Sequence, residues 1–259
     1  MDVTASSLPL PDATEADAAA DAEYAALVAD LRAVPDHATD RDTDCDGWTV
    51  HDVVAHVTEA AREGAHPLVL ALRYGRAAVQ RDGRELVHRV NDMQVRRARS
   101  LTWPDLLDEL ERLAPLAVRG RRRTPAVVRR QAAPASQGFA PGDTIGFIND
   151  VIYPRDVWMH RVDISRAVDQ PMSRSTGEES VVHQVVRDLG RTWTGPSLRL
   201  VLTGRVTGTW ALGDPGPRLP VVHADAVDLC RRLSGRGGEV PLEGPDVAVR
   251  ALERTRVMF

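Results

Sequence analysis

Tyr153-Pro154-Arg155-Asp156-Val157-Trp158-Met159-His160-Arg161-Val162-Asp163-Ile164 is the stretch on which the reading of this chain turns. Asp156 and His160 are four positions apart, so on a helix they stack on one face, a turn from each other. A carboxylate and an imidazole placed this way can hold a divalent cation if a third ligand arrives from elsewhere. The candidate for that ligand is His56, far upstream in Trp48-Thr49-Val50-His51-Asp52-Val53-Val54-Ala55-His56-Val57. Thr49 is a good N-cap, Asp52 three residues later closes a capping box, and Trp48 and Val53 occupy the positions of a hydrophobic staple. A helix therefore starts at Val50, with His56 on the face of Val53 and Ala60, directed inward. An imidazole without a partner among apolar neighbours is costly, and Asp163 is within helical reach of His160 as an acceptor that could fix its tautomer. Spacing alone leaves plainer readings open. An inward histidine can be an ordinary core residue, Asp156 can pair with Arg155, and Asp163 can simply hydrogen-bond to His160.

Composition narrows the class of protein. The 259 residues suffice for one large domain or two ordinary ones, and 43% are hydrophobic. All 33 basic residues are arginine and the net charge is -4, which gives no reason to expect a nucleic-acid partner. Cys45 and Cys230 are far apart and in no CxxC pair, so neither a disulfide scaffold nor a cysteine-rich zinc site is expected. The N-terminus lacks a signal pattern and no apolar run reaches membrane-span length, so the expectation is a soluble, cytoplasmic protein with no membrane partner. Nothing in the chain sets an oligomeric state.

Taken in order, residues 1–12 read as a disordered lead-in. Thr14-x-x-Asp17 resembles a capping box, followed by Tyr24, Leu27, Val28 and Leu31 at helical spacing. After the helix that carries His56, apolar periodicity predicts helices from about Leu86 to Arg99 and from a cap at Thr102 through Leu113. The stretch from Val118 to Ala140, with Arg119 to Arg123, reads as a solvated basic loop. Asp143 or Thr144 opens a helix that Pro154 kinks or restarts, and the restart runs to Val168. Helices with inward carboxylates and imidazoles suggest a bundle with a metal site. Beyond Pro171 the pattern changes to a helix (Glu178 to Leu189), strands near Ser197–Leu202, Val206–Leu212 and Val221–Val222, and a helix from Ala224 to Leu233. The expected fold class is α+β, with a helical bundle over 13–171 and a small α+β domain over 172–259.

Trp48-Thr49-Val50-x-Asp52-x-Val54-Ala55-His56, together with Arg155-Asp156-x-Trp158-x-His160-Arg161-x-Asp163-Ile164, resembles the mycothiol-dependent maleylpyruvate isomerase family, a group of DinB-like four-helix bundles. His223-Ala224-Asp225-Ala226 leading to Leu233-Ser234-Gly235-Arg236 is similar to that family's C-terminal domain, which is related to sterol carrier protein type two. The resemblance implies a divalent metal, usually zinc, held by His56, Asp156 and His160. The departure is Asp156, one methylene shorter than the glutamate of the family's isomerase, which puts metal affinity in question rather than fold. The resemblance also implies mycothiol as thiol cofactor and a small electrophilic substrate; an acidic substrate would need a cation, for which Arg236 is the catalytic candidate. A surface arginine at a helix end is the plainer reading of Arg236. Arg161 could serve acidic substrates too, or pair with Asp163. Cys45, in an exposed loop, and Cys230, on an apolar helix face, read as bystanders.

The leading expectation is thus a metal-dependent enzyme, an isomerase or an S-transferase, that uses a low-molecular-weight thiol. The alternative is a non-catalytic small-molecule-binding or regulatory protein on the same scaffold. A bundle without any ligand is a third reading.

Overall fold

A computed structural model of the protein describes residues 3–80, 82–134, 139–238 and 240–259. Residues 1–2 of the expected lead-in and 135–138 of the expected basic loop lie outside the described residues. The chain divides into two units, one comprising Ala13–Gly177 and the other the N-terminal residues to Asp12 with Glu178–Phe259.

In the first unit, α1 (Ala13–Arg32), α2 (Val50–Ala65), α3 (Pro67–Val79), α4 (Leu86–Ala98), α5 (Trp103–Arg122), α6 (Ala126–Arg129), α7 (Ile145–Phe147) and α8 (Tyr153–Val168) follow in order. The core is built by α1, α2, α5 and α8, whose inward residues include Leu27, Leu31, Val53, Val54, Leu106, Leu110, Val157 and Ile164. The start of α2 is as its residues dictate. Thr49 accepts a hydrogen bond from the Asp52 amide while Asp52 reaches back to the Thr49 amide. Thr49→Ala removes one orphan-donor partner at this helix start, and an N-cap of this kind is worth about 1 kcal/mol. Urea unfolding should show that loss, whereas an unchanged midpoint would mean the cap is dispensable.

α8 begins where Pro154 permits. The preceding segment, Ile148–Ile152, is π-helical, and the Tyr153 amide closes back on the Ile148 carbonyl. Pro154 sits in the first turn, where its missing N–H costs nothing. The wide turn ahead of it is a distortion frequent at functional sites.

Several expectations need correction. α1 begins at Ala13, so Thr14 lies inside its first turn rather than capping it. α3 was not expected, because Leu68, Leu72 and Val79 point to solvent and give no inward stripe. α5 continues through the arginine run to Arg122. Arg121 is buried there, with its guanidinium 3.6 Å over the Tyr153 ring and hydrogen bonds to Tyr24 Oη at 3.2 Å and the Ala60 carbonyl at 3.1 Å. Gly120 beside it is a necessary glycine, since a Cβ there would lie 2.1 Å from the Gly64 carbonyl oxygen on α2.

In the second unit a five-stranded sheet has the order β1-β3-β2-β4-β5. Its strands are β1 (Val3–Thr4), β2 (Leu198–Thr203), β3 (Gly208–Leu212), β4 (Val221–Asp225) and β5 (Leu242–Glu243), accompanied by α9 (Glu178–Thr192), α10 (Ala226–Leu233) and α11 (Asp246–Arg254). Residues 3–12 are therefore no disordered lead-in. Val3 and Thr4 pair in parallel with Trp210 and Ala211, and Gln184 Nε2 of α9 donates to the Pro9 carbonyl at 2.9 Å. The division between the units falls after Gly177, later than the expected Pro171, because residues through Ser173 are still tied to the bundle by Arg161 and Asp30.

The two motifs of this unit have structural explanations. Asp225 caps α10, its Oδ1 accepting from the Val227 amide at 2.8 Å and the Asp228 amide at 3.2 Å. Its other oxygen would lie 1.9 Å from a Cβ at Gly204, whose φ of +85° also demands glycine in the β2–β3 turn. Leu233-Ser234-Gly235-Arg236 ends α10 in a Schellman motif. Gly235, at φ +86°, donates to the Arg232 carbonyl, and the Arg236 amide donates to the Arg231 carbonyl at 3.1 Å. Among the described residues no helix is long and apolar enough to cross a membrane.

Candidate metal centre

α2 and α8 bring His56, Asp156 and His160 together. Asp156 Oδ2 is 3.6 Å from His56 Nε2, and Asp156 Oδ1 is 3.3 Å from His160 Nε2. The candidate ligand atoms of the three lie within 4.8 Å of one another. A tetrahedral ion with bonds of ~2 Å separates its ligands by ~3.3 Å, and each imidazole has one Asp156 oxygen within a few tenths of an ångström of that spacing. The shorter aspartate arm still reaches both imidazoles. The two rings stand edge-on with centroids 5.1 Å apart, and the Trp48 indole walls the pair at 5.0 Å from His56 and 6.4 Å from His160. The His56 and His160 side chains are 8% and 6% exposed against 23% for Asp156, so the carboxylate is the side by which solvent meets the trio.

The outer nitrogen of each ring is engaged. His56 Nδ1 lies 2.7 Å from Gln94 Oε1, and His160 Nδ1 lies 3.0 Å from Asp163 Oδ2. An acceptor at Nδ1 places the ring hydrogen there and leaves the Nε2 lone pair directed at the shared point. Two imidazole lone pairs and a carboxylate at these separations fit a divalent cation with a coordination position left over. Burial raises the Asp156 carboxyl, but His160 beside it outweighs this and holds the group well below the usual carboxylate range. Burial likewise lowers His160, but Asp156, Cys45 and Asp163 outweigh it and hold the imidazole well above its ordinary value. In the absence of a cation, His160 and Asp156 thus form an ion pair.

Asp156 faces the two imidazoles, which displaces the simpler expectation of a pair with Arg155. Arg161 does not pair with Asp163. It is buried against Glu23 and Asp30 on α1, which removes it from any role toward substrate. His51 is half-buried rather than a surface residue, with Nε2 3.1 Å from the Leu101 carbonyl. Trp158 is fully buried core. Cys45 is not in an exposed loop. Its Sγ donates to Asp163 Oδ2 at 3.2 Å and lies 3.7 Å from His160 Nδ1, on the opposite edge of the ring from Asp156. Cys45, His160 and Asp163 make a second close group, but a cation there would have to displace the Nδ1 hydrogen given to Asp163. Arg236 lies half-buried in the turn after α10, in the other unit. Gln94 and Cys45 were missed as neighbours of the trio because their distances along the chain to His56 and His160, 38 and 115 residues, leave no local pattern.

The chain matches the family model described as the mycothiol maleylpyruvate isomerase N-terminal domain over residues 18–165. A search of curated proteins returned no significant match. Among solved structures it is similar to the crystal structure of the mycothiol-dependent maleylpyruvate isomerase, with 17% identity, 95% of this chain and 96% of that chain covered, and a TM-score of 0.57. It is equally similar to a histidine-to-alanine mutant of that isomerase, with 18% identity, 94% and 99% covered, and a TM-score of 0.56. At these identities the likeness is one of fold.

Proposed function

The chain belongs to the family of the mycothiol maleylpyruvate isomerase N-terminal domain, and from that premise we propose that it is a metal-dependent enzyme that uses mycothiol on a small electrophilic substrate, as an isomerase or as a thiol S-transferase. The observation that carries the reading is the convergence of His56 Nε2, the Asp156 carboxylate and His160 Nε2 on one point, with both outer ring nitrogens already engaged. These three would hold a divalent metal, with zinc suited to two imidazoles and a carboxylate. Bound there with an open position, the metal supplies Lewis acidity that favours the thiolate of a bound thiol at neutral pH.

The chain's own groups do the rest. Trp48 closes one side of the trio against water, and the low exposure of both imidazoles strengthens every charge interaction inside it. Gln94 and Asp163 keep the ring hydrogens on the outer nitrogens. Neither Cys45 nor Cys230 is assigned a nucleophilic role, since Cys230 is buried on α10 and Cys45 is turned to the far edge of His160. Arg236 is the proposed cation for an acidic group on the substrate.

Metal analysis of the purified full chain should find one equivalent of zinc, and calorimetry should show mycothiol binding that disappears when the metal is chelated. A protein that purifies without metal and takes up none from solution would end this reading. Thiol binding indifferent to chelation would favour the non-catalytic binding protein instead.

A further inference from the structure

Behind His56 runs a row of buried polar side chains from three helices. Gln94 on α4, Glu63 and Glu59 on α2, and Arg73 on α3 are each 7% exposed or less. Gln94 Oε1 faces His56 Nδ1 at 2.7 Å, and Gln94 Nε2 donates to Glu63 Oε1 at 2.9 Å. The same Glu63 oxygen accepts from Arg73 Nη1, while Arg73 Nη2 donates to Glu59 Oε2 at 2.5 Å.

The order of donors in this row is forced. Glu63 Oε1 already receives the arginine, so it presents an acceptor to Gln94. Turning the Gln94 amide over would set its oxygen against that acceptor, with both groups buried, at a cost of about 1–3 kcal/mol for the unmade bond. The amide therefore keeps Nε2 toward Glu63 and Oε1 toward His56. An oxygen at 2.7 Å obliges His56 Nδ1 to carry the hydrogen, which leaves the Nε2 lone pair for the trio. We propose that Gln94, oriented by Glu63 and Arg73, is a positioning residue that sets the tautomer of His56 and so delivers its Nε2 to the cation. The proposal rests on the metal reading above for its consequence, but the tautomer can be read without metal. It also accounts for α3, whose contribution to the bundle is a buried arginine rather than an apolar face.

Two readouts test it on the full chain. The first is the 15N spectrum of His56 in metal-free protein at about pH 8.5, above the ordinary imidazole range. The second is zinc affinity by competition with a chromophoric chelator. Wild type should show His56 with hydrogen on Nδ1. Gln94→Leu removes the acceptor at Nδ1 and releases the ring hydrogen to Nε2. Zinc affinity should then fall about 10–100-fold, as for lost outer-shell partners. Combining Gln94→Glu with Glu63→Gln keeps the net charge, presents a carboxylate oxygen to Nδ1 again and should hold affinity near that of wild type, which a merely structural role would not do. Wild-type His56 with hydrogen on Nε2 or on both nitrogens, or unchanged zinc affinity in Gln94→Leu, overturns the proposal. If wild type takes up no zinc, the metal reading fails and the spectrum alone decides the relay.

Discussion

His160→Ala should leave a folded protein that no longer retains the zinc proposed for the trio through purification, with an affinity loss exceeding the ~10–100-fold that removal of an outer partner produces. His160 supplies one lone pair to the trio and is also the residue that holds Asp156 in place, at 3.3 Å. Its loss therefore removes one ligand and loosens another. A second consequence appears without metal. His160 is 4% exposed, and its imidazolium lies between Asp156 and the fully buried Asp163. Breaking a buried pair by deleting one partner costs about 3–5 kcal/mol, and urea unfolding of the chelated variant should show a loss of that order.

The pH dependence of that loss has a definite sign. The folded-state value of His160 is raised well above 6.5, so its contribution is full below that value and fades as pH rises through the raised one. Asp156 is lowered well below 3.8, so its contribution is present above that value and fades only as pH falls through the lowered one. The metal-free wild type should thus lose part of its stability on the alkaline side, and His160→Ala should lack that alkaline decline. Zinc binding runs the opposite way, because the ligands must be deprotonated. Equal stability of wild type and variant across this range, both chelated, would show that the ion pair contributes nothing.

The trio was legible because each part of it is local. Four-residue spacing stacks Asp156 on His160, and a capping box with its staple fixes where the helix of His56 begins. What the spacing could not show lies in contacts between segments remote along the chain. Residues 3–12 carry no apolar run, and their strand exists only because β3, some two hundred residues later, offers a free parallel edge. The run Arg119–Arg123 reads as solvated by composition, yet α5 turns one of its members, Arg121, inward onto Tyr153 and Tyr24. The exposed leucines of α3 remove the periodicity by which helices are recognised, and the residue that anchors it, Arg73, is of a type that sequence patterns assign to solvent. Gln94 has no signature at all. Its importance follows from which groups lie on either side of its amide.

Arg161→Met should produce the other large effect, this time on stability and not on the metal. Arg161 is wholly buried, and so is its partner Glu23 on α1. Its Nε donates to Asp30 at 3.1 Å and its Nη2 to the Ser173 carbonyl at 2.8 Å, so one guanidinium ties α8 both to α1 and to the segment that follows α8. Methionine fills much of the space but takes the Arg161 guanidinium away from the buried Glu23 carboxylate, and about 3–5 kcal/mol should be lost in chemical denaturation of the full chain. Replacing Glu23 by Met in the same protein removes that carboxylate as well and should recover part of that loss, since a buried pair exchanged for apolar groups of similar volume is often close to neutral. Asp30, 18% exposed, can turn to water in the double variant. Arg161 directs its charge at α1 while its neighbour His160 faces α2, so the folded fraction of either variant should bind zinc nearly as wild type does. A single variant as stable as wild type would show that the buried ion pair does not secure α8. A single variant that folds but loses zinc would show that the rotation of α8, and with it the presentation of Asp156 and His160, depends on this anchor.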